Sequence, residues 1–291
     1  MDVYMKSLLA LLLVLSSQAW ASWTISSYNI RNFDHDHEAG QTNIDELSKT
    51  IKSYKSDVMT FIEVVNLEAF KSVIKSTLPD HQVAHSTCGG FGKQKLAIVY
   101  NSKMFNLLGQ IEDMTFSGST GACGSLRPVF LVNLQEKATS KKFTFAAVHL
   151  KAGGAEAAMQ QRWKQYDLLA KLVKQYGSQN LIMMGDFNTT GYNIKDQDFD
   201  HFDKLLAGGS LKTTSENLGC TSYWVGTLGN GRHQPSILDH IVLKDDLYSE
   251  VQNVSVGSHC AKLNCKDATP EELGVSYQTV SDHCPLQVTF K

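Results

Sequence analysis

The chain has 291 residues, with 27 Lys and Arg against 29 Asp and Glu and a formal net charge of −2. A balance this close to neutral excludes a protein that coats nucleic acid through bulk positive charge, though not an enzyme that touches a few phosphates and releases its product. The length suits one large domain or two small ones, and no repeat, low-complexity tract or Pro/Ser/Gly-rich linker divides it, so residues 22–291 read as a single domain.

The first residues form an address. Lys6 precedes an apolar run over residues 8–15, and Ala19-Trp20-Ala21 supplies a small-x-small cleavage site. The run is shorter than the roughly 20 residues that span a bilayer, so residues 1–21 read as a signal peptide cut after Ala21 rather than an uncut anchor. The remainder is expected to be secreted or periplasmic. Cys88, Cys123, Cys220, Cys260, Cys265 and Cys284 make an even set, which in an exported chain points to disulfides. Proximity suggests Cys260 with Cys265, and shared Gly-rich surroundings suggest Cys88 with Cys123. No C-x-x-C pair occurs, so a structural zinc site is not expected.

Residues 23–30 alternate as a strand and run into Tyr28-Asn29-Ile30-Arg31-Asn32-Phe33, which would set Asn29 and Arg31 on one face. Ile44, Leu47, Ile51 and Tyr54 follow at helical spacing behind a cap at Thr42 or Asn43. Residues 58–62 read as a buried strand that stops at Glu63. A carboxylate closing an apolar strand is costly unless it is exposed, paired or bound to a cation. Leu67, Phe70, Ile74 and Leu78 form a second helical stripe. Strands are expected over 96–100 and on through Ile111, then over 129–134 and 143–150, with His149 closing the last. Residues 155–176 make the clearest helix, amphipathic through Met159, Trp163, Tyr166, Leu169 and Val173.

That helix leads into Leu181-Ile182-Met183-Met184-Gly185-Asp186-Phe187-Asn188, an apolar run that delivers two polar residues one position apart. It reads as a buried strand with Asp186 and Asn188 on one side and Phe187 turned inward. A carboxylate and a carboxamide in one crevice suit chemistry that handles a proton or a metal while donating hydrogen bonds to an anionic oxygen. A short helix is expected over 199–206 and a strand over 221–225, followed by a Gly- and Asn-rich loop over 226–231. Leu238-Asp239-His240-Ile241-Val242-Leu243 is a strand entered through an acid, and Ser281-Asp282-His283-Cys284-Pro285 precedes a last strand over 286–290. Strands separated by helices, with strand pairs between, argue a mixed α/β sandwich. Polar residues gathered at one sheet edge are what such an enzyme uses.

The elements YNIRNF, FIEV, AAVHLK, MMGDFN, LDHIVL and SDHCPLQVTF, in this order, resemble the endonuclease/exonuclease/phosphatase superfamily, and within it secreted deoxyribonucleases of the DNase I type. The resemblance runs from about Trp23 to the end of the chain, with GDFN and SDH its most specific parts. It implies an α/β fold of four layers, two mostly antiparallel mixed sheets packed face to face with helices outside. By the same likeness Glu63 is the main ligand of a divalent cation, with Asn29 and Asp282 assisting. Mg²⁺ is the cation expected, Mn²⁺ or Ca²⁺ being alternatives, since such hard ions take oxygen ligands. Asp239 would orient His283, Asp186 and Asn188 would position water and a phosphoryl oxygen, and His149 would donate a proton to the leaving oxygen. Arg31 and Arg127 would hold neighbouring phosphates. The implied protein is a monomeric endonuclease that acts on DNA, and on RNA as a further substrate, with no stable membrane association.

One departure stands out. Pancreatic-type members pair the first His with a Glu just ahead of the strand at 96–100, where this chain has Gln94 between Lys93 and Lys95. That weakens the donor role of His149. Asp34-His35-Asp36-His37-Glu38 reads as a solvated loop, because consecutive residues cannot all face one ion. Lys93, Lys95, Lys151, Arg162 and Arg232 are either scattered surface cations or the lining of a substrate groove. Two other readings stay open: a sphingomyelinase-like lipid phosphodiesterase, and a non-catalytic binding module or adhesin on the same scaffold.

Overall fold

A computed structural model of the protein describes residues 22–34, 41–118, 123–177, 180–226 and 229–291. The leader at 1–21, and His35, Asp36, His37 and Glu38 of the acidic loop, lie outside the described residues. The first strands are β1 (Thr24–Phe33), β2 (Val58–Val64), β3 (His81–His85), β4 (Lys95–Asn101), β5 (Phe105–Asp113), β6 (Val129–Glu136) and β7 (Lys142–His149). They are followed by β8 (Leu181–Asp186), β9 (Leu211–Thr213), β10 (Ser222–Val225), β11 (His233–Ser236), β12 (Asp239–Lys244), β13 (Val251–Val256) and β14 (Leu286–Phe290). The helices are α1 (Ile44–Tyr54), α2 (Leu67–Thr77), α3 (Glu156–Tyr176), α4 (Gln197–Gly209), α5 (Asp245–Tyr248), α6 (Ser258–Leu263) and α7 (Pro270–Thr279).

Two six-stranded sheets result, ordered β13-β14-β1-β2-β4-β3 and β5-β6-β7-β8-β12-β9, with β10 and β11 a separate hairpin. Each sheet has one parallel pair, β1 with β2 and β7 with β8, in an otherwise antiparallel ladder. Parallel neighbours need a crossover, which α1 and α3 supply. The helical spacing of Leu47 and Ile51 buries that face of α1, while Asn43 caps its start by accepting from Glu46 N. Ile25, Val58, Ile62 and Ile98 of the first sheet meet Phe145, Ala147, Met184 and Ile241 of the second in one central core. Separate apolar layers lie under α1 with α2 and under α3 with α4. The order is therefore helix, sheet, sheet, helix.

The inner face of α3 differs from its apolar stripe. Arg162 and Gln165 are buried with Tyr166, Leu169, Leu172 and Val173, whereas Met159 and Trp163 are only partly covered. Arg162 therefore lines no groove: it is fully buried. The Cys260–Cys265 pairing is also corrected, for the disulfides are Cys88–Cys123, Cys220–Cys265 and Cys260–Cys284. Cys260 lies inside α6 and Cys265 just past its left-handed cap at Asn264. At about 100° per residue, positions five apart face different sides of a helix, so each cysteine meets a distant partner instead.

Strand register sets the site. His149 on β7 lies opposite Asp186 on β8, and Asp186 opposite Asp239 on β12, so one row across three strands carries all three. The row depends on Gly185, whose φ is +145° and where an added Cβ would meet the Val148 carbonyl oxygen at 2.0 Å. Only glycine fits there without displacing β7. We predict that Gly185→Ala destabilises the protein by about 2 kcal/mol or more in chemical denaturation. Wild-type stability in that variant would show that the strands can part here without penalty.

Candidate active site

Glu63 comes next to last in β2, where the ladder to β4 shifts register between Phe61 and Val64 and the backbone turns left-handed at φ 67°. That irregularity re-aims the carboxylate from the sheet into the crevice. Glu63 Oε2 accepts from Asn32 N at 2.9 Å. Asn29 Nδ2 donates to both Glu63 Oε1 and Asp186 Oδ2 at 3.2 Å, so one amide joins a carboxylate from each sheet. Asn29 Oδ1 accepts from Arg31 N at 3.0 Å. In this state Asn29 presents its nitrogen, not its oxygen, to the carboxylates.

His149 Nε2 lies 3.6 Å from Glu63 Oε1 and 3.7 Å from Asp186 Oδ2, and His283 Nε2 lies 3.9 Å from the same Asp186 oxygen. His283 Nδ1 meets Asp239 Oδ2 at 2.7 Å. Asn188, left-handed at φ 52°, donates its N–H to Asp186 Oδ1 at 2.8 Å and its Nδ2 to Leu150 O at 3.2 Å. Simple strand alternation does not place it; the turn after Phe187 does. Arg127 also donates to Leu150 O, and its charge acts on Glu63, Asp186 and His149. Arg31 is set apart: its backbone is left-handed at φ 40°, and its guanidinium donates to the Gln278 carbonyl. The expected shared face for Asn29 and Arg31 is thereby broken. Asp282 flanks the group, its carboxylate acting on Glu63 and His283.

Several contributors carried no signal of their own. Thr221 Oγ1 accepts from the N–H groups of Leu238 and Asp239, and Ser281 Oγ donates to Asn29 O. Thr221 opens the strand expected over 221–225 and Ser281 opens the SDH motif, yet neither hydroxyl announces its partner, since such groups commonly bond loop backbone. Gln94 donates to Asn32 Oδ1 at 2.8 Å, so it supports Glu63 through Asn32 and does not orient His149. Among the described residues His149 Nδ1 is buried without a hydrogen-bond partner. Lys151 turns to the Ala152 carbonyl, and Arg232 pairs with Glu272.

Burial, together with the charges of Asp239 and Glu63, lifts the Asp186 carboxyl to about 7, and burial likewise raises Glu63. Burial would lower His283, but the Asp239 carboxylate prevails and holds its imidazole well above the ordinary range, helped by Asp186 and Asp282. Burial, Arg127 and His283 push His149 well below it. The two imidazoles are thus driven apart, His283 toward its charged form and His149 toward its neutral one.

A model of the endonuclease/exonuclease/phosphatase family matches residues 26–283. The chain belongs to that family. Among solved structures, an endonuclease/exonuclease/phosphatase family protein from Bacteroides thetaiotaomicron is similar at TM-score 0.63 and 20% identity, covering 92% of this chain and 97% of that one. D. rerio TDP2 complexed with single-strand DNA product is similar at TM-score 0.66 and 15% identity, over 93% and 99% of the two chains. A mannosyl-6-phosphatase of B. thetaiotaomicron is similar at TM-score 0.61 and 20% identity, over 91% and 98%. The chain matches none of the curated proteins. As a member of this family it is a hydrolase of phosphate esters.

Family enzymes are generally divalent-metal dependent, and the site fits a hard cation. Two carboxylates from opposite sheets, Asp186 buried and Glu63 partly so, stay raised in pKa although His283 and Arg127 act on them, and a cation between them would hold both ionised. The expected proton placement follows with its sign. His283, raised in the folded protein, stabilises the fold fully below the unfolded value near 6.5, and this is lost as pH rises through the folded value. His149, lowered, withdraws stability as pH falls below the unfolded value. Imidazole NMR of the metal-free protein should show His283 still charged and His149 already neutral near pH 6.5. The reverse order would contradict the geometry described here.

Proposed function

We propose that the chain is an exported, divalent-metal-dependent endonuclease that hydrolyses phosphodiester bonds of DNA, and of RNA, with little sequence preference. The carrying observation is the meeting of Glu63, Asp186, His149 and His283 at ion-pair separations of 3.6 to 3.9 Å in one crevice beside Arg127. Glu63, Asp186 and Asp282 would hold the cation, with Asn29 turning its oxygen inward to assist. When bound, Mg²⁺ supplies charge that stabilises the phosphoryl oxygens. Asp239 fixes the His283 tautomer, leaving Nε2 toward Asp186 for proton transfer. Arg127 and Asn188, joined at Leu150 O, are placed to meet phosphate oxygens with hydrogen-bond donors. The opposed shifts favour a proton on His283 over one on His149, so proton transfer is assigned first to His283.

A nucleic-acid substrate is supported by the TDP2 structure, which holds single-strand DNA product. Three disulfides support export. Among the described residues no helix is long and apolar enough to cross a membrane. A second reading, lipid phosphodiesterase, is favoured by one feature: Trp224 and Val225 on the hairpin strand β10 are 45% and 69% exposed.

Supercoiled plasmid should be nicked with Mg²⁺ and left intact with EDTA. Cleavage of sphingomyelin vesicles alone would favour the lipid reading, and inertness toward both would favour a binding module. His149→Ala and His283→Ala should each lower turnover about 10²- to 10⁴-fold in folded protein, and an undiminished rate would remove that residue from the reaction. Mg²⁺ should also raise the melting temperature, by the equivalent of about 2.7 kcal/mol at a hundredfold excess over Kd. Glu63→Ala should shift that response to higher Mg²⁺, and an unchanged response would exclude Glu63 as a ligand.

A further inference from the structure

Arg162 lies one layer behind the crevice, fully buried, with every guanidinium donor engaged. Its Nε faces both Asp198 oxygens at 3.1 Å, and Nη2 reaches Asp198 Oδ2 and Thr190 Oγ1, each at 2.8 Å. Its Nη1 donates to the carbonyls of Lys151 at 2.6 Å and Gly153 at 3.0 Å. Asp198 is equally engaged, since Trp163 Nε1 donates to its Oδ1 at 3.0 Å. Gly153 has φ +106°, a conformation in which an L side chain is strained.

The carbonyls and the hydroxyl belong to two loops. Lys151 and Gly153 follow His149 out of β7, and Thr190 follows Asn188 out of β8. On the crevice side Asn188 Nδ2 donates to Leu150 O at 3.2 Å, and Leu150 N donates to Asp186 O at 3.0 Å. Behind it, a single planar fork on α3 holds both, and α4 anchors the fork through Asp198. Gln165, one turn further along α3, adds a bond by accepting from Lys151 N at 2.8 Å.

Stability alone is a poor reason for such a pair. A buried ion pair replaced by apolar side chains of similar volume often leaves a fold as stable or more so. What apolar side chains cannot do is fix two backbone carbonyls and a hydroxyl from separate loops at set distances. We infer that Arg162, held by Asp198, is a positioning residue that locks the loops after β7 and β8 together, so that His149, Asp186 and Asn188 keep their mutual spacing. The inference rests on the reading of those three residues as the reactive group.

The test is the double variant Arg162→Met with Asp198→Leu, which removes the charges and keeps bulk. Its melting temperature should fall by some degrees, because the Lys151 and Gly153 carbonyls lose their donors, with cooperative unfolding kept, while kcat on plasmid or on a simple phosphodiester falls about 10²-fold with KM little changed. Amide hydrogen exchange should quicken at residues 150–153 and 188–190 and not elsewhere. Exchange requires no substrate, so the inference is tested even if the wild type cleaves nothing offered, which would sink only the functional reading. A folded double variant with wild-type exchange in both loops would overturn the inference, as would wild-type kcat where the parent is active. Should the double variant fail to fold, Thr190→Val removes one acceptor and leaves the ion pair in place. It should quicken exchange at 188–190 and lower kcat severalfold, and no change in exchange there would equally overturn it.

Discussion

Two carboxylates from different sheets share one amide. Glu63 and Asp186 are 34 and 157 residues from Asn29 along the chain, yet the Asn29 side chain donates to both at 3.2 Å. His149 and His283 are arranged about that contact. Like charges are brought this close only because the central core clamps the inner faces of the sheets together, and burial then penalises each ion further. The resulting field separates the two imidazoles, one made more basic by Asp239 and one made less basic by burial near Arg127.

The core provides the force and register the direction. His149, Asp186 and Asp239 form one row on β7, β8 and β12, so a slip of one residue in either pairing would turn a member of the row away. Departures from regular backbone gather at the same edge: Glu63, Asn188, Arg31 and Gly185 all have positive φ. These conformations are disfavoured for most side chains and persist where the surroundings hold them. Here the hydrogen bonds from Asn32 to Glu63 and from the Asn188 N–H to Asp186 do the holding.

Much of this was legible in the residues. Apolar runs marked the central strands β2 and β8, helical spacing marked α1 and α2, and the polar residues that close the strands drew attention because carboxylates end apolar runs for few reasons. The family likeness ordered these pieces into a four-layered fold. Other features have no local signature. Disulfide connectivity depends on which way a helix turns its cysteines, so proximity misassigned Cys260 and Cys265. Arg162 looked like a surface cation because its partner Asp198 lies 36 residues away on another helix. The region from β13 through α7 gave little periodicity, and Gly274, at φ 79°, breaks α7 internally.

The position of β14 has a consequence for how the molecule comes into being. This strand is the last in chain order, yet it lies inside its sheet between β13 and β1, and His283 stands just ahead of it. While a chain is still being made, β1 lacks this neighbour and Asp239 has no imidazole to hold. The contact between Asp239 and His283, and with it the field that divides the two imidazoles, is therefore completed only when this segment takes its place between β13 and β1.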